Sequence, residues 1–381
     1  MDFELSEDHR LVQEAARDFA IRAVAPGAAE RDRTHIFPVD IIGQLAELGF
    51  LGVKVKDTYG GAGCDFTSYA LVMREISRAC ASTAVAMAVT NMVADAIEMF
   101  GSDEQKQRLL PPLMRGELCT GAFCLSEPEA GSDATAVRCT ARLDGDHYVL
   151  DGTKQWVTNG VNAGLAVIFA TLDRSRGKDA LCAFVVEKGT PGFSVARVEE
   201  KMGLRSSETA QLVLDGARVP AANRLGAEGE GARIAFGVLD GGRVGVSSQA
   251  VGVGEAALAE GVKFARERKA FGKAVAEFQA LQWMIADTAT ELEAAWLLTL
   301  RAANLRDAGQ RVTREASMAK VFATEACGRA VDRMLQIHGG YGYTRDYPIE
   351  RLYRDARVFR IYEGTSEIQR LVIARQLLQE Q

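Results

Sequence analysis

The sequence predicts an α+β protein in three parts: helical, then β, then helical again. The first part carries apolar residues at helical spacing. Near Cys119 it gives way to short runs rich in Val, Ile, Phe and Thr, divided by Gly, Asp, Asn and Pro. From about Gly231 long helical periodicity returns. The boundaries drawn from these changes are an N-terminal helical domain over 1–117, a middle β-barrel or sandwich domain over 118–228, and a C-terminal helical bundle over 229–381.

In the first part, Ser6 can cap a helix in which Leu11, Ala15 and Phe19 recur every four residues, with Pro26 as its end. PVDIIGQLAELG opens on Pro38, places Ile42, Leu45 and Leu48 on one face and stops at Gly49. The Ala- and Met-rich tract from Thr67 to Phe100 contains no proline and predicts two buried helices. In the second part the strand candidates are YVLDG, QWVTN, LAVIFATL, ALCAFVVEKG, FSVARV and AQLVLDG. Asp144-Gly145, Asp151-Gly152 and Asp215-Gly216 fit tight turns between them. In the third part a helical segment spans Ala274 to Gly309. A second runs from Thr313 to about Gln336 and ends at Gly339-Gly340. The last starts near Thr365 or Ser366, where Ser366 and Gln369 fit a capping box.

Composition excludes several function classes. The 381 residues are 48% hydrophobic and 25% charged, ordinary for a globular protein. The net charge of −6 and the lack of a basic run argue against nucleic acid. No uninterrupted apolar stretch approaches the ~20 residues of a membrane span, and MDFELSEDHR lacks a signal-peptide pattern. The seven cysteines are scattered, with no CxxC pair, and read as reduced thiols of a cytoplasmic protein. Four distant histidines, without HExxH or a Cys/His cluster, predict no metal site. GVGEAA, from Gly252, matches a dinucleotide fingerprint, yet its flanks RVGVSSQA and LAEGVKFA read as one helix. It is therefore a close-packing stripe and not a phosphate loop.

Five segments remain. FCLSEPEAGSDA, Phe123 to Ala134, ends in a loop of Gly, Ser and Asp whose N–H groups suit a phosphate or a polar ring edge; alone it reads better as a strand exit. In KQWVTNG, Trp156 and Thr158 alternate and share one strand face, so a Trp can stack on a flat ligand while a hydroxyl meets its edge. A half-buried core Trp is the plainer reading. RERKAFGK, from Arg266, sets cations and an aromatic beside Gly272. QIHGGYGYTRDYP, from Gln336, brings glycines that permit close backbone approach. A solvated loop and a helix cap are the plainer readings there. In IYEGTSEIQR, Glu363 lies just before the final helix, near its positive end, beside Gly364.

Together, FCLSEPEAGSDA, QWVTNG, RKAFGK, QIHGGYGYTRDYPIERLYRDAR and IYEGTSEIQR, in this order and spacing, resemble the acyl-CoA dehydrogenase family over essentially the whole chain. The resemblance implies an FAD enzyme in a homotetramer, an acyl-CoA substrate and an electron-transfer flavoprotein as partner. It implies that Phe123, Leu125 and Ser126 line the flavin ring, Ser126 near N5 or O4. Trp156 would pack on the ring and Thr158 reach N5. Ser132 would contact flavin phosphate or CoA. Arg268, Phe271, Gln279, Gln336, Gly339 and Gly340 of a neighbouring subunit would hold the pyrophosphate and adenine part. Thr365 and Glu367 would support the cofactor, and Asp240 and Arg243 would lie on the helix that binds acyl-CoA. Glu363 would be the base that removes the α-proton, with Gly364 leaving room for the thioester.

In some branches of the family the base immediately precedes the Arg of the D-x-x-R element. Here that position is Gly242, which has no side chain, so Glu363 stands alone. Phe123 replaces a frequent Tyr and Glu129 a frequent Gly. The implied reaction is dehydrogenation of a short- or medium-chain acyl-CoA to the trans-2-enoyl-CoA. The alternatives are a branched, cyclic or dicarboxylic acyl-CoA, a desulfinase on the same scaffold, and a non-catalytic FAD or acyl-CoA binding subunit. The sequence does not size the acyl pocket; the helices around Ala84 to Ala94 and Phe236 to Leu239 are its expected walls.

Overall fold

The structure is a computed structural model that describes residues 4–379. The first helices are α1 (Glu7–Phe19), α2 (Ala28–Thr34), α3 (Val39–Glu47), α4 (Phe66–Ala79), α5 (Ala81–Phe100) and α6 (Asp103–Met114). Ser6 caps α1 by accepting from the His9 N–H. The buried face of α1 is not the expected one. Leu11 and Ala15 are exposed; Val12 and Ala16, one position later, turn inward, together with Phe19, the one residue of the expected face that does. The chain then makes one wide π-type turn, Ala20–Val24, before Pro26. The Thr67–Phe100 tract is two helices, α4 and α5, broken at Cys80, whose backbone is extended.

By length and composition α5 could cross a membrane, which the sequence reading did not allow for; most of it is buried inside the protein. Helix α6 lies within the region expected to be helical, although its own bounds were not drawn from the sequence. A complete capping box at Ser102 and Gln105 starts it, and Pro111 and Pro112 sit within it.

Eight strands follow: β1 (Thr120–Cys124), β2 (Thr140–Asp144), β3 (His147–Thr158), β4 (Ala163–Thr171), β5 (Leu181–Glu187), β6 (Phe193–Val198), β7 (Thr209–Pro220) and β8 (Arg224–Leu225). They form one mixed sheet in the order β6-β7-β3-β2-β4-β5-β8, with β1 alongside β4 in parallel. YVLDG and QWVTN are a single long strand, β3. Only Asp144-Gly145 is a turn, joining β2 to β3. Asp151-Gly152 and Asp215-Gly216 lie inside β3 and β7, where the register slips between Leu150 and Gly152. The Asp151 carboxylate accepts the Gly216 N–H at 2.7 Å and ties the irregularity together. An Asp-Gly pair therefore marks a bulge here as readily as a turn. Four buried strand residues, Ile168, Phe169, Phe184 and Val185, anchor the sheet's core, which continues into α5 and α6.

The last part is α7 (Gly231–Glu267), a short hairpin of β9 (Lys269–Ala270) and β10 (Lys273–Ala274), α8 (Gln279–Asp307), α9 (Thr313–His338), α10 (Ile349–Ala356) and α11 (Ser366–Gln379). Residues 274–278, expected to be helical, instead form β10 and a single 3₁₀ turn, so α8 begins at Gln279. α7 runs 37 residues and packs against α4, α5, α8 and α9. Its glycines allow this. A Cβ at Gly252 would overlap the Arg74 carbonyl, and one at Gly254 would lie 2.5 Å from Leu292 Cδ2. GVGEAA is thus a packing stripe. All seven cysteines are free thiols, most of them buried.

Candidate active site

Glu363 lies in the turn between α10 and α11. Its φ is +52° and that of Gly364 is +89°. A left-handed conformation at a glutamate is costly, and the surroundings impose it. Gln369 Nε2 donates to the Glu363 carbonyl at 3.1 Å and to the Gly364 carbonyl at 3.0 Å. Lys320 Nζ, from the N-terminal third of α9, donates to the Gly364 carbonyl at 2.7 Å. Three hydrogen bonds thus fix two successive peptide planes and aim the glutamate side chain toward α7.

There the carboxyl meets Gly242. A Cβ at that position would overlap Glu363 Oε2 and would lie 3.3 Å from Met92 Sδ. Oε2 is sealed from solvent and has no hydrogen-bond partner. Burial pushes the Glu363 carboxyl up to about 7, against the pull of the cationic Lys320 and Arg243. Lys320 responds in the opposite sense: burial lowers its ammonium to about 8. An unpartnered carboxyl with a pKa near neutrality is a group poised to take or give a proton.

Arg243 is buried on α7. It is bonded to Asp240 Oδ1 at 2.7 Å and approaches Ser317 Oγ at 3.5 Å. Thr313 Oγ1 holds the other Asp240 oxygen at 2.7 Å. Asp240 and Arg243 are therefore tied to each other and to α9, and the Arg243 Nε has no partner.

In the β domain the expected ring-facing residues lie at the exit of β1 and on β3. Phe123 is part-buried at the end of β1, its ring 5.0 Å from Phe169. Leu125 is buried and Ser126 half-exposed. The Ser126 carbonyl accepts the Gln155 N–H at 2.9 Å, which brings the strand exit beside β3. Trp156 has φ +61° at a bulge of β3 and is 61% exposed, while Val157 is buried and Thr158 half-buried. The bulge turns the indole outward, so Trp156 is not a core residue.

The loop beyond Ser126 is shaped by Glu127. Its carboxylate accepts the Arg138 and Cys139 N–H groups at 2.6 and 3.0 Å and pairs with the fully buried Lys154 at 2.7 Å. Lys154 also donates to the Leu125 carbonyl. Ser132 is exposed in this loop, and Glu129 pairs with Arg138 at the surface.

A second set of expected residues gathers elsewhere on the C-terminal domain. Arg268, at the end of α7, lies over the Tyr341 ring at 5.2 Å. Phe271 is 95% exposed and meets Phe278 edge-on; Gln279, beside it, opens α8. Gln336 is exposed on the last turn of α9. Gly339 and Gly340 are exposed in the 3₁₀ turn after it, with Gly339 at φ +58°.

At the start of α11 the cap differs from the expected one. Thr365 Oγ1, not Ser366, accepts the Ile368 N–H at 3.3 Å, and Gln369 serves the Glu363–Gly364 turn. The capping box at Ser366 is therefore corrected: Ser366 is already inside the helix, its Oγ buried without a partner. Glu367 is exposed in the first helical turn.

Lys320 and Gln369 escaped the sequence reading as site residues. The signal for Lys320 was present: a lysine on a stripe of alanines, Ala316, Ala319 and Ala323, that is otherwise buried. Among the described residues no Cys, His, Asp and Glu cluster could hold a metal.

Three family models match the chain: the acyl-CoA dehydrogenase N-terminal domain over 6–117, the middle domain over 122–217 and the C-terminal domain over 229–378. The acryloyl-CoA reductase (NADH) of Anaerotignum propionicum is 46% identical over 99% of this chain and 96% of its own length. The short-chain specific acyl-CoA dehydrogenase of Clostridium acetobutylicum is 44% identical over 98% and 99%. The solved butyryl-CoA dehydrogenase of Megasphaera elsdenii superposes with a TM-score of 0.97, at 40% identity and with both chains covered in full.

Proposed function

The chain belongs to the acyl-CoA dehydrogenase family, and on that premise we propose that it is an FAD enzyme that oxidises a short- to medium-chain acyl-CoA to its trans-2-enoyl-CoA. The observation that carries the reading is the Glu363 carboxyl: unpartnered, raised to about 7 and seated in the space Gly242 leaves.

The residues present fit the cofactor. The outward indole of Trp156, with Thr158 further along the strand and Phe123, Leu125 and Ser126 beside β3, offers apolar side chains with hydroxyls among them. The buried, unpartnered Ser366 Oγ and Gln369 Oε1 leave polar atoms for a ligand at the start of α11, where Thr365 and Glu367 lie. Arg268, Phe271, Gln279, Gln336, Gly339 and Gly340 are open to receive the diphosphate and adenine part bound to a second subunit of a homotetramer. Ser132 lies in the exposed loop where phosphate or CoA passes.

Glu363 takes the α-proton of the thioester. A substrate that closes the site removes water from the carboxylate and strengthens it as a base. The hydrogen bonds from Gln369 and Lys320 to the carbonyls of residues 363 and 364 keep the base in place before substrate arrives. Gly364 carries no side chain where a Cβ would lie 2.7 Å from Gln369 Nε2, the donor that braces the turn. Arg243, held by Asp240, keeps positive charge near the base. The flavin, when bound, supplies the hydride acceptor, and the electrons leave to an electron-transfer flavoprotein. In the reverse sense the protonated Glu363 returns the proton to an enoyl-CoA, the direction named in the A. propionicum relative. The protein works in the cytoplasm.

The test is anaerobic titration of the purified yellow protein with butyryl-CoA. Bleaching of the flavin by wild type, with none in a flavin-loaded Glu363→Gln variant, supports the reading. Equal bleaching by the variant overturns it.

A further inference from the structure

We propose that the buried ion pair of Lys54 and Asp95 closes the far end of the acyl pocket as a polar stop, so that a short acyl chain is accepted and longer apolar chains are refused. The inference rests on the function proposed above and assigns its substrate range to two residues.

Four glycines of α7 leave bare backbone toward α4, α5 and the Glu363 turn. At Gly245 a Cβ would overlap the Tyr69 hydroxyl region, 3.2 Å from its ring. At Gly242 it would meet the Glu363 carboxyl and Met92. At Gly241 it would lie 3.0 Å from Phe66 Cε1 and 3.8 Å from Asp95 Oδ2, and at Gly237 3.2 Å from Phe100. Read along the helix, α7 withholds side chains, and residues of α4, α5 and the Glu363 turn face its bare backbone. Met92 marks the level of the reacting carboxyl. Asp95 is three residues further along α5, about 4.5 Å at the helical rise. A chain whose α-carbon faces Glu363 and which runs along α5 therefore meets Asp95 after a short distance.

What it meets is charge. Lys54 Nζ lies 3.1 Å from Asp95 Oδ2, with both side chains at least nine-tenths buried. The ammonium also stands 3.7 Å above the Tyr69 ring and 5.1 Å from that of Phe66. Its chain neighbours Val53 and Val55 are core residues. Nothing in the proton transfer uses this pair. A buried ion pair gives little stability over apolar side chains of the same volume. It does penalise a methylene pressed against it, because the pair then loses its last hydration and gains no hydrogen bond.

The experiment measures kcat/KM of the holoenzyme for butyryl-, hexanoyl- and octanoyl-CoA in wild type and in Lys54→Met/Asp95→Leu, both partners being replaced so that no lone charge is left. The expected result is a butyryl preference in wild type. In the variant the hexanoyl-to-butyryl ratio rises about ten-fold, the gain from seating two further methylenes in an apolar site. A flavin-loaded variant with an unchanged ratio overturns the stop, as does a wild type that prefers octanoyl-CoA. If the variant does not hold flavin, Lys54→Gln/Asp95→Asn removes the charges at nearly constant shape. A ratio raised several-fold then supports the stop and an unchanged one overturns it. Wild-type holoenzyme that no acyl-CoA bleaches overturns the proposed function and the stop together. Bleaching by butyryl-CoA with an immovable ratio overturns the stop alone.

Discussion

The carboxyl of Glu363 occupies the space that a side chain at position 242 would fill. In the sequence Gly242 only removes a rival for the role of base. In the structure it also makes the room in which the carboxyl is buried. The consequence is testable. Gly242→Ala places a methyl against the far end of a flexible side chain, which moves aside at small cost in stability. The variant keeps its fold and flavin, while the displaced base lowers kcat by about a hundred-fold, as misplacement of a catalytic group does. A variant with wild-type kcat contradicts the contact.

The pH dependence follows from the raised carboxyl. Glu363 accepts a proton only when ionised, and burial holds it at about 7. The kcat/KM for butyryl-CoA, which reports the free enzyme, therefore rises about ten-fold per unit below that pH and levels above it. A rate already level from pH 5 upward would contradict the shift.

The same shift appears in stability, with a definite sign. A carboxyl that titrates at 4.5 when unfolded and at about 7 when folded binds its proton more tightly in the folded state. Its contribution is complete below pH 4.5 and is lost as pH rises through 7. Glu363→Gln has no such loss. The variant should gain stability over wild type between pH 5 and pH 8 by on the order of 2 kcal/mol, discounted because the residue as a whole, unlike its sealed Oε2, keeps some exposure. Thermal melts of both proteins at the two pH values read it. A constant difference between them contradicts the argument.

Trp156 separates binding from folding. At 61% exposure, on a bulge with φ +61°, its indole supports little of the sheet. Trp156→Ala should leave the melting temperature of the flavin-free protein within ~2 °C, since surface changes cost ~0.5 kcal/mol or less. It should weaken FAD binding about ten-fold or more through lost ring contact. Unchanged affinity by fluorescence titration would remove Trp156 from the flavin face.

The helix–sheet–helix order was legible because long apolar periodicities and β-branched runs survive without tertiary context. What was not legible has physical causes. Leu11 is exposed because α4 selects a different face of α1 than the four-residue repeat suggests. Asp151-Gly152 and Asp215-Gly216 carry the chemistry of turns, yet opposite each other they make a bulge. Trp156 and Glu363 were picked out by type and neighbours, but their positive φ values, which aim them, arise from β3–β7 pairing and from Gln369 and Lys320. Asp95 and Lys54 lie 41 positions apart and meet only because α5 folds back beside Val53 and Val55.

Lys320 gives the last prediction, because one side chain performs two separable acts. Its hydrogen bond to the Gly364 carbonyl, 2.7 Å long, holds the strained turn, and its charge lowers the Glu363 carboxyl. Lys320→Met removes both. The turn loosens, kcat falls about ten-fold or more, and the acid limb of kcat/KM moves to higher pH because the carboxylate has lost a nearby cation. Lys320→Gln can restore a donor without the charge, so it should recover part of kcat and leave the acid limb displaced. The two readouts then part company. If Lys320→Gln returns the limb to its wild-type position, charge is not what Lys320 gives the base. If Lys320→Met loses stability but shifts neither kcat nor the limb, the lysine only holds α9 to the turn.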